Sequence, residues 1–417
     1  MTETNIKKLK LATYFSSFSM SVVGNLPPLL FMTFNAVYGI SYSLLGTLVL
    51  INFLTQLIID LVFSFFSHKF NIPKVIKSMP LITIAGLVIF AFAPVIFRGA
   101  EFLGLALGTF VFSAAAGLGE VLSSPLIAAL PSDNPDQQMS KLHSMYAWGV
   151  VGVIIFSTLF LYLFGRESWP ILTLIFCAIP AFSALLYFGT EVPELKGEGT
   201  TEKIGGIFKN RLLWASVLAI FFGGAAECTM AQWSSGYLEQ ALNIPKVWGD
   251  IFGVAMFAFF LGIGRTLYSK IGKNIGRVLT LGGLGAVVCY LTAVFTSNPF
   301  LGLAACGFTG FCTSMLWPGN LIVVADRFPY GGVFIYAMMA AGGDLGASVC
   351  PQLVGIITDL AESSPALSEL ALNFGLAPNQ LGMKLGMLVA ALFPLIGIIF
   401  YAGFWKHSTN PKLASRD

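Results

Sequence analysis

Four acidic residues lie inside apolar stretches of the chain: Asp60, Glu120, Glu227 and Asp344. A charge at mid-bilayer costs about 2.5–3.5 kcal/mol on insertion scales, so such a residue normally faces a protein interior or a water-filled cavity. A carboxyl group in a low-dielectric site can take and release a proton near cellular pH. Proton carriage is therefore the chemistry that these positions suit best. Glu120 has Gly117, Gly119, Ser123 and Ser124 on its helix for close packing, and it is expected to couple to protons. Asp344, within Gly342-Gly343-Asp344-Leu345-Gly346, suits proton coupling and close helix packing equally. Glu227 follows Gly223 and Gly224 by one helical turn, which puts all three on one face. The glycines permit unwinding near the midplane, and Glu227 is expected to bind substrate. Asp60 stands near the end of its stretch, close to Lys69, as a gate or loop anchor. No basic residue is expected at comparable depth to neutralise these acids.

Neutral polar and aromatic side chains fill out a candidate binding cavity. Asn25 precedes Pro27 and Pro28, which free backbone carbonyls. Asn52 and Gln56 are four apart and share a helix face. Gln232 with Trp233, and Trp317 with Asn320, pair an amide with an indole. Amides read hydroxyl groups through paired donors and acceptors, and a Trp face suits the apolar side of a sugar or a heteroaromatic ring. The competing reading is that intramembrane amides only bond neighbouring helices.

Other chemistries find no support. The six cysteines all lie in apolar runs without C-x-x-C spacing, and His68, His143 and His407 are scattered. Neither a disulfide frame nor a metal site is expected. No nucleophile–base pair or phosphate loop occurs, so no catalytic residue and no cofactor is expected.

Acids inside long apolar stretches call for membrane helices, since the alternating strands of a membrane barrel would leave half the positions polar. The chain has 417 residues, 56% apolar and 10% charged, with mean hydropathy +0.81; an ordinary soluble domain carries roughly 25% charge. This composition excludes a soluble enzyme, a disordered chain and a nucleic-acid partner. It predicts an all-α membrane protein with short loops. The hydrophobic start is read as a retained first span, not a cleaved signal. Twelve spans are expected, near residues 10–36, 42–66, 75–97, 102–131, 140–164, 170–190, 208–238, 247–270, 277–296, 299–326, 330–359 and 382–405. With both termini in the cytoplasm, nineteen of the 23 basic residues fall inside and only Arg98, Arg166, Lys246 and Lys384 fall outside. That bias follows the positive-inside rule.

The charged stretch around Glu191–Lys203 falls after span six. It predicts a six-helix bundle over 1–190, a cytoplasmic linker over 191–207 and a second six-helix bundle over 208–417, the two related by pseudo-symmetry. Gly117 and Pro125 in span four are spaced like Gly310 and Pro318 in span ten. Internal duplication is the architecture of many secondary transporters.

Twelve spans, a central linker and a short basic loop after spans two and eight resemble the major facilitator superfamily. Its loop motif, G-x-x-x-D-R-x-G-R, survives here mainly as Lys69, and in the second half as Lys270, Gly272 and Lys273. Span seven, GGAAECTMAQWSSGYL, is similar to the E-x5-W-x3-Y pattern of fucose-permease-like sugar:proton symporters through Glu227, Trp233 and Tyr237. Gly264-Arg265 and Glu120, five residues before Pro125, also suit that group. Asn25 replaces an aspartate, Ser124 an asparagine and Ala225 a glycine, and His143 and Tyr146 stand where amides would be expected. These departures point away from fucose itself. His143 and Tyr146 join the expected substrate-binding set. Arg265 joins Asp60 and Lys69 as a gating residue, bonding carbonyls or lipid phosphate at a cytoplasmic helix end.

The resemblance implies a secondary active transporter, expected to be a monomer in the plasma (inner) membrane. Its expected partners are a small polar solute such as a sugar, protons and the lipid bilayer. The alternatives are a proton-coupled exporter of amphipathic compounds, with some of the 38 Phe and 13 Met lining an adaptable cavity, and a non-transporting membrane sensor.

Overall fold

Helix follows helix along the chain, because a backbone in hydrocarbon must satisfy its own hydrogen bonds. The computed structural model describes residues 2–66, 69–131, 135–193, 209–271, 274–328 and 332–409, and all regular structure among them is helical. Most of the linker expected at 191–207 lies outside the described residues, as do His68, Gly272, Lys273 and the side chain of His143.

Span one is α1 (Glu3–Leu29) and α2 (Phe31–Tyr38), bent by 45° after the two prolines. Spans two to five are α3 (Tyr42–Phe66), α4 (Ile72–Ile96), α5 (Glu101–Ala128) and α6 (Pro135–Phe164). Span six is α7 (Trp169–Phe176) with α8 (Ala178–Tyr187). Span seven is α9 (Arg211–Leu242). Span eight starts as a π-helical segment, Gly249–Ala255, and continues as α10 (Met256–Ile271). Span nine is α11 (Ile275–Phe295). Span ten is broken into α12 (Pro299–Thr313) and α13 (Pro318–Arg327). Span eleven is α14 (Gly332–Ser363), followed by the short α15 (Pro365–Asn373). Span twelve is α16 (Pro378–Ala390) with α17 (Leu392–Thr409). Ten of these spans pass a length and hydropathy test alone, the bent first span makes eleven, and the apolar part of α6, Trp148–Phe164, supplies the fifth in chain order.

The chain divides into two compact units. One holds Met1–Ile40 and Ile51–Gly197, the other Ser41–Leu50 and Glu198–Asp417. The second unit thus takes the first turns of α3. Asp359 of α14 explains this, because its two carboxylate oxygens accept from the Tyr42 and Ser43 amides at 2.9 and 2.7 Å. Those amides belong to the N-terminal turn of α3, whose N–H groups have no partner within the helix.

Each unit repeats the other's internal packing. In the first, Ser183 Oγ of span six donates to Ala12 O of span one, and Ser21 Oγ of span one donates to Tyr146 O of span five. In the second, Tyr401 of span twelve donates to Ala219 O of span seven, and Trp233 Nε1 of span seven donates to Pro351 O of span eleven. A Cβ on Gly117 would meet Gln56 and Ile59 of span two, and one on Gly310 would run into the Phe257 carbonyl of span eight. The equivalent glycines therefore mark the equivalent crossings, four on two and ten on eight. Asn71 and Asn274 cap spans three and nine alike, each accepting an amide three residues on, from Lys74 and Arg277 at 3.1 Å.

Candidate functional site

Each unit contains one acidic constellation. In the first unit it is Asp60 of α3 and Glu120 of α5, which have carboxylate oxygens within 4.8 Å of each other. Asp60 is 1% exposed. Asp60 was expected to act as a gate near Lys69, and the structure sets it beside Glu120. Lys69 is exposed and lies over the Phe66 ring, 5.0 Å from its centroid. The physical reason is the crossing at Gly117, which brings α5 against Gln56 and Ile59 and so sets Glu120 beside Asp60. About two turns before Asp60 on α3, Ser113 Oγ donates to Asn52 Oδ1 at 2.6 Å, and Gln56 Nε2 donates to the same oxygen at 3.2 Å. The two amides lie on one face, but they bond each other and α5.

In the second unit the centre is Glu227. Arg265 Nη2 donates to Glu227 Oε1 at 2.9 Å, and Arg265 Nε donates to Ser314 O at 3.1 Å. The expectation that no base lies at the depth of Glu227 is corrected by this pair. Side chains on a helix lean toward its N-terminus, so Arg265, near the far end of α10, reaches back toward the middle of the bundle. Ser314 O is available because Pro318, four residues on, has no N–H to give it. Gly264 lets the break in span ten come close, since a Cβ there would strike Ser314. Arg265 is thus bound at a broken helix inside the unit. The other oxygen of Glu227, Oε2, is buried with no hydrogen-bond partner among the described residues.

The glycines before Glu227 do not unwind their helix. α9 runs unbroken from Arg211 to Leu242, and the discontinuity falls in span ten, where a proline lies inside the membrane. Gly224 instead makes room for the Gly343 carbonyl and for Trp317, and a Cβ on Gly343 would sit 2.5–2.8 Å from the Trp317 ring. Trp317 therefore rests in a notch of two glycines beside Asp344, which is 2% exposed.

The remaining expected residues are placed as follows. Trp233 is fully buried, with its indole N–H on Pro351 O. Asn320, also fully buried, donates to Leu316 O at 2.6 Å and so steadies the break in span ten. Asn25 donates to Ser21 O at 2.9 Å, one turn back on its own helix. Tyr146 brings its hydroxyl toward Gly24 of span one. Gln232 is buried beside Trp233.

One ion pair and one capping carboxylate escaped the sequence reading. Lys246 and Asp250 form a buried ion pair, 9% and 1% exposed, with N···O of 2.9 Å, and Ser235 Oγ bonds both. Their i,i+4 spacing could have shown it, had Asp250 not stood at the edge of a span. The other is Asp359, the cap of α3. Nothing local in sequence points from residue 359 to residue 42.

The sequence profile of the Major Facilitator Superfamily matches residues 11–351. The chain belongs to the major facilitator superfamily. As a member, it is a transporter embedded in a membrane and not an enzyme. No curated protein sequence matches it significantly. Among solved structures, a bacterial homolog of the human lysosomal transporter Spinster is similar at TM-score 0.75 and 14% identity, over 97% of this chain and 98% of that one. A D-xylose-proton symporter follows at TM-score 0.71 and 15% identity, over 93% and 97%. The E. coli fucose:proton symporter is similar at TM-score 0.62 and 16% identity, over 95% and 98%. At these identities the superfamily fold is shared, and the all-α architecture read from the sequence stands.

Proposed function

We propose that this superfamily member is a proton-coupled symporter that carries a small polar metabolite, with a sugar favoured, by alternating access. The observation that carries the reading is the Asp60–Glu120 pair, two carboxylates within 4.8 Å of each other on two membrane spans. Two like charges so close are unfavourable in a low dielectric, so the pair is suited to hold one proton and release it when its surroundings change. Asp344, buried in span eleven, is a second candidate for proton coupling. Arg265, held by Glu227, offers donors for hydroxyl groups. The structural neighbours include a D-xylose-proton and a fucose:proton symporter as well as a nucleoside transporter, which sets the panel of solutes to try. The basic residues favour cytoplasmic termini, and we place the protein, as a monomer, in the plasma (inner) membrane. Purified protein in proteoliposomes tests the proposal. An inward-directed proton gradient should drive uptake of D-xylose, L-fucose or uridine, and Glu120→Gln should abolish the drive. Uptake of one of them that ignores the gradient refutes the coupling.

A further inference from the structure

The Glu227–Arg265 pair holds a feature that the transport reading does not use. A guanidinium has five N–H donors. Arg265 commits one to Ser314 O and one to Glu227 Oε1, and among the described residues the other three have no protein acceptor. Its side chain is 37% exposed, whereas that of Glu227 is 12% exposed with Oε2 enclosed. The open edge of the pair is therefore a row of donors, and its net charge is zero. A solute hydroxyl or ring oxygen can accept from that edge at no electrostatic cost. A solute carboxylate would place a second anion on a cation that already has one, leaving a net negative charge beside the largely buried Glu227.

We infer that Glu227 determines charge selectivity: it occupies Arg265 as a built-in counter-anion, so that the site takes neutral hydroxylated solutes and rejects their carboxylated analogues. The inference rests on the reading of a polar solute bound beside Glu227. Removing the counter-anion should invert the preference. In Glu227→Gln the side chain keeps its size, Arg265 keeps its anchor on Ser314 O, and the freed guanidinium matches a carboxylate in the two-point geometry that arginine favours. A hydrogen bond to a charged group changes affinity by about tenfold or more, which sets the size of the effect.

The test is binding by the full-length protein in lipid nanodiscs, read by intrinsic tryptophan fluorescence, with D-glucose and D-glucuronate as the neutral and anionic probes. Glu227→Gln should bind D-glucuronate about tenfold or more tighter than the wild type does, and adding Arg265→Gln should remove that gain. If Glu227→Gln does not fold, Glu227→Ala is read in the same way. Equal affinity of wild type and variant for D-glucuronate, or a gain that survives Arg265→Gln, overturns the inference. Failure of the sugar reading is distinguishable: it shows as no response of the wild type to D-glucose, and leaves the comparison between wild type and variant for D-glucuronate intact.

Discussion

Glu120→Gln is the most informative perturbation of the first unit. The oxygens of Asp60 and Glu120 lie within 4.8 Å. At an effective dielectric of about 20, two unit charges at that separation repel by about 3.5 kcal/mol. A large part of the stability of one domain, typically about 5–15 kcal/mol, is at stake when both carboxylates ionise. The wild type should therefore lose thermal stability once pH is high enough to ionise both carboxylates. In Glu120→Gln the repulsion is gone while the side-chain volume is kept. Its melting temperature should change less between pH 6 and pH 8.5, and at pH 8.5 it should exceed that of the wild type. Transport splits the same way: solute counterflow, which needs no net proton movement, should persist, and uptake driven by a pH gradient should fall at least tenfold. The assays are a fluorescence melt in detergent and a paired counterflow and gradient-uptake measurement in proteoliposomes. The reasoning fails if Glu120→Gln keeps full gradient-driven uptake, or if its melting temperature follows pH as that of the wild type does.

Three further outcomes follow from the geometry. Lys246→Met leaves Asp250 buried without its ion-pair partner and should cost about 3–5 kcal/mol, whereas Lys246→Met with Asp250→Leu should recover most of it; thermal melts of both variants decide. Asp359→Ala removes the acceptor of the Tyr42 and Ser43 amides, at about 1 kcal/mol for a lost helix cap, and hydrogen exchange should quicken at the start of α3 before it does at Asn52. Gly343→Ala places a methyl group 2.5–2.8 Å from the Trp317 ring and should destabilise by about 1–3 kcal/mol through overpacking, with a change in tryptophan emission.

The fold was legible because membrane spans are written in composition. The apolar stretches gave their number, and Gly117 and Gly310 marked equivalent helix crossings by an eight-residue spacing to proline that survives in both halves. The cluster at span ten was half legible. Pro318 was read only for its spacing from Gly310; the carbonyl it frees, Ser314 O, meets Arg265 from 49 residues upstream, and only the lean of side chains along α10 brings the two together. Gly223 and Gly224 misled for a related reason. A glycine signals either unwinding or close approach, and only the neighbouring Trp317 and Gly343 decide for approach. Asp359 was illegible, since its partners are backbone amides that carry no sequence signature.

The central claim is that solute and proton enter together. Its most direct test is the pH inside proteoliposomes carrying the wild-type protein and an entrapped pH-sensitive dye, after addition of D-xylose, L-fucose or uridine without any imposed gradient. The interior should acidify in a way that depends on the solute and is absent in Glu120→Gln. Solute uptake with no change in internal pH would contradict it.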